Sequence, residues 1–398
     1  MAELFHRQAL AERLAGQILS TAPISATASG LFLAAPRRTG KSTFVREDLR
    51  PALARHGALV LYVDLWADRK LDPADAIVQT VRSELAKHDG VITKIARSAG
   101  MEKVNVGGVS FSLDSVGLGK GVSISQALAA LSDEVKKPIA FVIDEAQHAM
   151  TTSGGADALF ALKAARDELN SSAHHGLRLV ATGSDRAKLS MMRQSKDQAF
   201  FSAHLVDFPL LGRDYVQWFC DNANLPVKLD VDVTFALFKE ASSRPEILAS
   251  ALANVAYDLE LPQEEMPAAF EKAVHAQVKE TREQMIKLVR SLTPQQAAVL
   301  TVMAHQGEEY APYDSKTAYP AYAKVLTALT GTESSMDANQ VTAALDALKD
   351  KQLVWKANRG EYQLEETSIV SDLREAGMLD ALDATPAPAA ERPGVPRG

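Results

Sequence analysis

A polar turn at residues 35–43 follows a short apolar segment and precedes a stretch with helical periodicity. Its sequence, Ala-Pro-Arg-Arg-Thr-Gly-Lys-Ser-Thr, matches the phosphate-binding pattern G-x-x-x-x-G-K-[ST], except that Ala35 takes the place of the first glycine. In such a turn the backbone N–H groups and the N-terminus of the helix bind phosphate oxygens. Gly40 lets the backbone approach closely, Lys41 supplies a positive charge to the β- and γ-phosphates, and Ser42 supplies a hydroxyl ligand for Mg²⁺. The residues expected to bind ATP are Ala35, Pro36, Arg37, Arg38, Thr39, Gly40, Lys41, Ser42 and Thr43.

Two acidic residues, Asp144 and Glu145, follow a strongly apolar segment at residues 139–143. An acidic pair in this place is the Walker B arrangement. Asp144 is expected to hold Mg²⁺ through water, and Glu145 to orient and polarise the attacking water. Each motif alone has a simpler interpretation, a chance Gly-Lys-Ser in the first case and a helix cap with a first-turn acid in the second. Their occurrence together, about a hundred residues apart, favours the catalytic interpretation.

Two further polar positions are candidates for sensing the nucleotide. Ser184 follows the apolar segment 177–182 and is slightly favoured over Thr182 as a contact to the γ-phosphate or the attacking water. The alternative is a turn in which Ser184 or Asp185 caps the next helix. Arg244 precedes Pro245, a residue typical of a first helical turn, and is either a nucleotide sensor or an exposed arginine. The catalytic residues expected from the sequence are Glu145, Lys41, Ser184 and Arg244.

The segments that carry these residues alternate between apolar stretches and helical patterns as far as residue 210. Near-continuous apolar strands separated by helices predict a parallel sheet covered on both faces. The four predicted strands are residues 31–34, 58–64, 139–143 and 177–182. Alternating residues on either side of Gly107-Gly108 predict a hairpin insertion at about 104–113. The fold class is therefore α/β, with a core domain at 1–210.

Beyond residue 210 the pattern predicts two further domains and a tail. Residues 211–288 are helical throughout, which predicts an all-α lid. Residues 289–378 contain three helix candidates and then two short strands, the order of a winged helix. The tail, 379–398, is expected to be disordered, because its last fifteen or so residues, from Ala384, are rich in Pro and Ala.

The composition excludes several classes of protein. Of the 398 residues, 46% are hydrophobic and 23% charged, which is ordinary for a globular protein. No apolar run approaches the roughly 18 residues that a membrane-spanning helix needs, so we expect a cytoplasmic location and no membrane partner. The single cysteine, Cys220, excludes an intramolecular disulfide and a cysteine-clustered metal site. A formal charge of −7 does not support general nucleic-acid coating.

The four motifs, in this order, resemble those of the AAA+/STAND group of P-loop ATPases, and most of all the prokaryotic archaeal-type and origin-recognition-like ATPases. The likeness covers roughly residues 1–375. It includes Phe5-His-Arg7, the loop at 35–43, Tyr62-Val-Asp64, Ile-Asp-Glu-Ala-Gln at 143–147, Thr-Gly-Ser-Asp at 182–185, Pro209-Leu-Leu-Gly-Arg213 and Ser-Arg-Pro-Glu at 243–246.

The resemblance implies an AAA+-like P-loop NTPase fold and Mg²⁺-dependent hydrolysis of ATP to ADP and phosphate. ATP would be bound by Lys41 and Ser42, Mg²⁺ by Ser42 and Asp144, and water activated by Glu145. Ser184 and Arg244 would be the sensors. The sequence departs from the family at Ala35. It also does not show which of Arg186, Arg193 and Arg213, if any, is the arginine finger.

The predicted winged helix leaves two partners open. In a DNA-binding winged helix the third helix, 338–351, would enter the major groove and the turn at 358–359 would contact the backbone or the minor groove. The candidate contacts are Gln340, Lys349, Lys351, Lys356 and Arg359. However, residues 290–375 carry eight basic and twelve acidic side chains, a net charge of −4, whereas DNA-binding domains usually carry a basic surface.

Two functions follow from this sequence. The first is an ATP-driven switch that couples nucleotide state to the winged helix, with duplex DNA as one candidate partner. The alternative is a signalling or defence ATPase whose winged helix binds a protein. Assembly into a homo-oligomer is compatible with both. A small-molecule kinase fits poorly, because Glu145 after Asp144, the helical lid and the winged helix are not expected of one.

Overall fold

The computed structural model describes residues 4–21, 27–68, 70–88, 90, 113–171, 174–184, 186–194, 198–358, 361–365, 369–375 and 377–383. The chain divides into two compact units, residues 1–271 and 272–398. The predicted hairpin at 104–113 lies outside the described residues apart from Leu113, and so does the tail beyond residue 383.

The first unit is built on a five-stranded sheet in which every strand pairing is parallel. The strands are β1 (Leu31–Ala34), β2 (Leu59–Asp64), β3 (Ile139–Asp144), β4 (Leu177–Gly183) and β5 (His204–Asp207). Their order is β2-β3-β4-β1-β5, so the residues that follow β1, β3 and β4 meet at one edge of the sheet. The first four strands were predicted. The fifth was missed because it is a short edge strand with one buried side chain in four, which gives no apolar run.

Both faces of the sheet are covered by apolar side chains and helices, as the sequence predicted for an α/β fold. Phe32, Leu61 and Phe141 belong to the buried cluster of one face, and Leu33 and Val142 to that of the other. The helices of the first cluster include Pro73–Leu85, Ile124–Val135 and Ser153–Ser171, with short 3-10 turns at Leu113–Ser115 and Ala146–Thr151. The helices of the second are Gln8–Ile18 and the segment that begins at Lys41.

That segment is one continuous helical stretch of three parts. It consists of an α-helical turn at Lys41–Phe44, a π-helical turn at Val45–Leu49 and an α-helix at Arg50–Arg55. Helix Arg186–Gln194 follows β4. The remaining helices of the first unit are Arg213–Asn222, Val231–Glu240 and Pro245–Ala256, with a 3-10 turn at Gln263–Glu265.

The second unit begins inside the long helix Met266–Arg290. Three helices follow, and then an antiparallel pair of strands, the order expected for residues 289–378. These elements are Pro294–Gln306, a 3-10 turn at Gly307–Glu309, Ala318–Thr330, Ala338–Asp350, β6 (Val354–Asn358) and β7 (Glu361–Leu364).

The end of this unit lies later in the chain than predicted. Helices Ile369–Glu375 and Asp380–Asp383 follow the hairpin, and Leu379 is fully buried in the apolar cluster of the unit. The expectation of a disordered tail is therefore wrong for residues 379–383. The stretch rich in Pro and Ala begins only at residue 384. The composition therefore gave no reason to start the disordered tail at residue 379.

Candidate active site

The loop between β1 and the helix at Lys41 is anchored to the neighbouring strand and to itself. The Ala35 N–H donates to the carbonyl oxygen of Gly183, at 3.2 Å, at the end of β4. The Thr39 hydroxyl donates to the Pro36 carbonyl at 2.7 Å. The first bond ties the start of the turn to β4, and the second closes the turn on itself.

Left-handed backbone in this loop occurs at Arg38, with φ 62°, and at Gly40, with φ 84°, and not at Ala35. Glycine at Gly40 is therefore required by the backbone, because an L-residue there would be strained. At Ala35 the backbone imposes no such requirement. Alanine in place of the first glycine of the pattern is therefore compatible with the backbone of this loop.

The ammonium group of Lys41 is buried and contacts the catalytic candidate directly. Its Nζ lies 2.9 Å from Oε1 of Glu145, and Lys41 is only 4% exposed. The Gln147 amide donates to the other carboxylate oxygen, Oε2, and also to the Ser184 hydroxyl at 3.2 Å. The structure therefore brings Lys41, Glu145 and Ser184, three of the predicted residues, into one hydrogen-bonded group.

Two opposing effects set the protonation of Glu145. Burial works to raise its pKa, but the positive charge of Lys41 and the hydrogen bonds from Lys41, Gln147 and Ser184 outweigh burial and lower the pKa below its ordinary value. Glu145 is therefore a carboxylate at neutral pH. Its backbone is left-handed, with φ 52°, a conformation that a non-glycine residue adopts only where its surroundings hold it.

Asp144 is completely buried at the end of β3, and protein groups satisfy its carboxylate. The Tyr62 hydroxyl donates to Oδ2 at 3.2 Å, while Thr182 and the Glu145 N–H donate to Oδ1. Thr182 therefore contacts Asp144, whereas Ser184 belongs to the group around Glu145. Burial first, and then the negative charges of Asp144 and Asp64, raise the pKa of Tyr62, so Tyr62 remains a donor.

The donors at this edge suit Mg²⁺. In the described part of the chain no group of three or more His, Cys, Asp or Glu side chains could hold a metal alone. Mg²⁺ usually takes one or two protein oxygens, several waters and the phosphates of its substrate. The buried Asp144 carboxylate and the Ser42 hydroxyl in the first turn after Gly40 are oxygen donors of this kind.

The structure does not join Arg244 to this group through any hydrogen bond between described residues. Arg244 precedes the helix Pro245–Ala256, and its Nε donates to Glu246 at 2.8 Å. The three finger candidates also have partners: Arg186 pairs with Asp207, Arg193 donates to the carbonyl of Ala203, and Arg213 pairs with Asp232.

The candidate DNA contacts are in the second unit. Gln340 belongs to a capping box with Asp337 at the start of helix Ala338–Asp350. Lys349 and Lys351 are exposed at the end of that helix, and Lys356 lies on β6. Arg359 lies outside the described residues.

Sequence reasoning missed Tyr62, Gln147 and Trp66 as members of the site. Gln147 lies two residues beyond Glu145, and Tyr62 and Trp66 lie on either side of the end of β2. Tyr62 and Gln147 stand in stretches that the resemblance includes, but it gives them no role, and Trp66 lies outside those stretches. The signal that could have found them is the sheet order, since β2 neighbours β3.

Comparison with known proteins agrees with this architecture. No family model matches the chain, and no curated protein matches it. Solved structures do match over nearly the whole length. A Walker-type ATPase of Pyrococcus abyssi has a TM-score of 0.53 at 16% identity, over 93% of this chain and 96% of that one. The ORC2 protein of Aeropyrum pernix in its ADP form has a TM-score of 0.54 at 16% identity, over 95% and 96%.

The chain shares the fold of these two proteins. At this level of identity the likeness concerns the fold alone. A P-loop ATPase fold places the loop after β1 and the acids after β3 at one edge of the sheet, which is where Lys41 meets Glu145. Among the described helices, none combines the length with the apolar composition needed to cross a membrane.

Proposed function

We propose that this protein binds ATP with Mg²⁺ at residues 35–43 and hydrolyses it to ADP and phosphate. The observation that carries the proposal is the direct contact of Lys41 with Glu145, at 2.9 Å. It puts the cation expected to bind the triphosphate within reach of the carboxylate expected to activate water. The nucleotide-bound ORC2 structure and the named activity of the Pyrococcus abyssi protein support the same proposal.

The chain's own residues supply the chemistry in a defined order. Lys41 leaves Glu145 for the β- and γ-phosphate oxygens, and the N–H groups at the start of the helix bind the phosphates beside it. Glu145 then accepts a proton from water as the water oxygen bonds to the γ-phosphorus. The bond from that phosphorus to the bridging oxygen breaks, and its electron pair leaves with ADP. Mg²⁺, held through Ser42 and Asp144, would neutralise phosphate charge when bound.

Nucleotide state would be passed to the second unit, residues 272–398, which makes the protein an ATP-driven switch. In this proposal Arg244 is the sensor on the helical segment 211–288, and the elements of 289–378 form a winged helix. Either duplex DNA or a protein would be the partner of that domain. The net charge of −4 over residues 290–375 favours a protein, because phosphate contacts require a basic surface. Homo-oligomerisation in ATP is part of the same proposal and is tested by mass measurement.

Two substitutions test the hydrolysis. Lys41→Ala should weaken binding of a fluorescent ATP analogue by about 10- to 100-fold, because charge-assisted hydrogen bonds to phosphate are lost. Glu145→Gln should lower the turnover number by about 100-fold or more, while ATP binds more tightly, because Lys41 no longer has to leave a carboxylate. Lys228→Ala, an exposed lysine, is the matched control.

Phosphate release is measured with no acceptor added. A kinase would release almost no phosphate under these conditions. The proposal fails if Lys41→Ala binds ATP as the wild type does, or if Glu145→Gln hydrolyses ATP at the wild-type rate.

A further inference from the structure

Arg37 lies in the loop at 35–43 and points toward the residues that hold Glu145. Its Nε lies 3.5 Å from the Ser184 Oγ, and its guanidinium carbon lies 5.2 Å from the centre of the Trp66 ring. The Trp66 ring in turn stacks on His148, with ring centres 4.1 Å apart and planes 33° apart. A planar cation is thus held on an aromatic face, an arrangement that restricts its orientation.

A chain of hydrogen bonds connects Arg37 to the catalytic carboxylate. Arg37 donates to Ser184, Gln147 donates to both Ser184 and Glu145, and Lys41 donates to the remaining oxygen of Glu145. Arg37 and Lys41 come from the same loop and reach opposite ends of this chain. Both cations of this loop therefore lie at the edge of the sheet that carries Glu145 and Ser184.

The other arginines near the sheet are placed differently. Arg38, next in the loop, is exposed and has left-handed backbone. Arg186 and Arg213 are about half exposed and paired with carboxylates, and Arg193 donates to a backbone carbonyl. Among these arginines, Arg37 is the one that contacts a member of the Glu145 group.

We propose that Arg37 supplies, from within the same chain, the positive charge that stabilises the γ-phosphoryl group during hydrolysis, and that Trp66 is its positioning residue. This rests on the proposed ATP hydrolysis. As the bond to the bridging oxygen breaks, charge spreads over the equatorial oxygens of the phosphoryl group, and a guanidinium fork matches them. Hydrolysis then needs no arginine from a neighbouring subunit.

The first test separates binding from catalysis in the full-length protein. Arg37→Ala should lower the turnover number by about 10³-fold and abolish trapping of ADP with aluminium fluoride, which mimics the transferring phosphoryl group. The affinity for ADP should change less than threefold, which also shows that the variant is folded. Arg37→Lys should recover only part of the rate. Arg55→Ala, on an exposed arginine of the same unit, is the control.

The second test concerns the role of Trp66 and whether the catalytic arginine comes from the same chain or from a neighbouring subunit. Trp66→Phe should keep most of the turnover, whereas Trp66→Leu should lower it by about 10-fold with unchanged ADP affinity. The rate per chain should be independent of protein concentration, and Arg186→Ala and Arg213→Ala should hydrolyse ATP as the wild type does.

Aluminium fluoride trapping retained in Arg37→Ala would overturn the inference. So would a rate per chain that rises with concentration and is lost in Arg186→Ala or Arg213→Ala. Wild-type protein that binds no ATP and releases no phosphate would instead overturn the proposed function.

Discussion

At the scale of single residues, the buried carboxylate of Asp144 shows how the site is held. A buried carboxylate is costly unless hydrogen bonds satisfy it. Asp144 has three such donors, from Tyr62, Thr182 and its own neighbour Glu145. Tyr62 is itself covered by Arg50, whose guanidinium carbon lies 4.6 Å from the ring centre. The acid is therefore held by side chains of β2 and β4.

We predict that Tyr62→Phe lowers the free energy of unfolding of the first unit by about 1.5–3 kcal/mol, the value of a hydrogen bond to a charged group. Chemical denaturation followed by tryptophan fluorescence measures the change. Tyr257→Phe, at a tyrosine that is 84% exposed, is the control and should stay within about 0.5 kcal/mol of the wild type. Equal effects of the two substitutions would contradict the proposed role of Tyr62.

The lowered pKa of Glu145 predicts a pH dependence with a definite sign. A carboxyl group whose pKa is lower in the folded than in the unfolded chain contributes stability above its unfolded pKa. That contribution is lost as the pH falls through the folded pKa. Glu145→Gln should therefore destabilise the nucleotide-free protein at pH 7, since Lys41 is left buried without its partner.

The destabilisation should begin to shrink below about pH 4, near the ordinary pKa of glutamate, because Glu145 of the unfolded chain then binds a proton. It should be lost once the pH falls below the lowered pKa of folded Glu145, where the wild type loses this charge as well. Unfolding curves of both proteins between pH 3 and pH 7 measure the difference. A difference that is constant with pH would mean that Lys41 and Glu145 do not interact as ions.

At the scale of elements, the four apolar strands and the helices between them were predictable, because each leaves a local pattern in the sequence. Strand β5 and the π-helical turn at Val45–Leu49 leave none. The same distinction holds for the site. Lys41, Asp144, Glu145 and Ser184 stand in recognisable motifs. The contact of Glu145 with Gln147 depends on side-chain direction within one short turn. The contact of Arg37 with Trp66 joins loops after β1 and β2, which are not neighbours in the sheet, so no local pattern encodes it.

We predict that Asp337→Ala loosens the start of helix Ala338–Asp350. The Asp337 side chain accepts from the Gln340 N–H at 2.8 Å, and the Gln340 side chain accepts from the Asp337 N–H at 2.9 Å. Loss of such a cap costs about 1 kcal/mol. Amide hydrogen exchange of residues 338–350 should accelerate by about fivefold. Asp346→Ala, exposed within the same helix, should leave exchange unchanged, and equal acceleration in both would exclude capping as the cause.

At the scale of the whole molecule, charge bears on the choice of partner. The formal charge of the chain is −7, and residues 290–375 carry −4. The segment proposed to bind the partner therefore offers no net positive charge to attract DNA over a distance. A protein partner has no such requirement, because its surface is not of one sign.

We predict that duplex DNA of random sequence binds no more tightly than about 10 µM at 150 mM salt, with or without ATP, within the range of weak non-specific binding. Fluorescence anisotropy at several salt concentrations measures this. Nanomolar affinity with a steep salt dependence would instead identify DNA as the partner of residues 289–378. In that case Lys349→Ala and Lys351→Ala should each reduce the salt slope by about one.

The backbone of Ala35 bears on how such sites are found in other chains. Since φ at this position is not left-handed, alanine fits as well as glycine and is less flexible in the unfolded chain. A search that insists on glycine at the start of the phosphate turn would pass over proteins of this kind. One that asks instead for glycine six positions into the turn, where Gly40 needs φ 84°, would retain them.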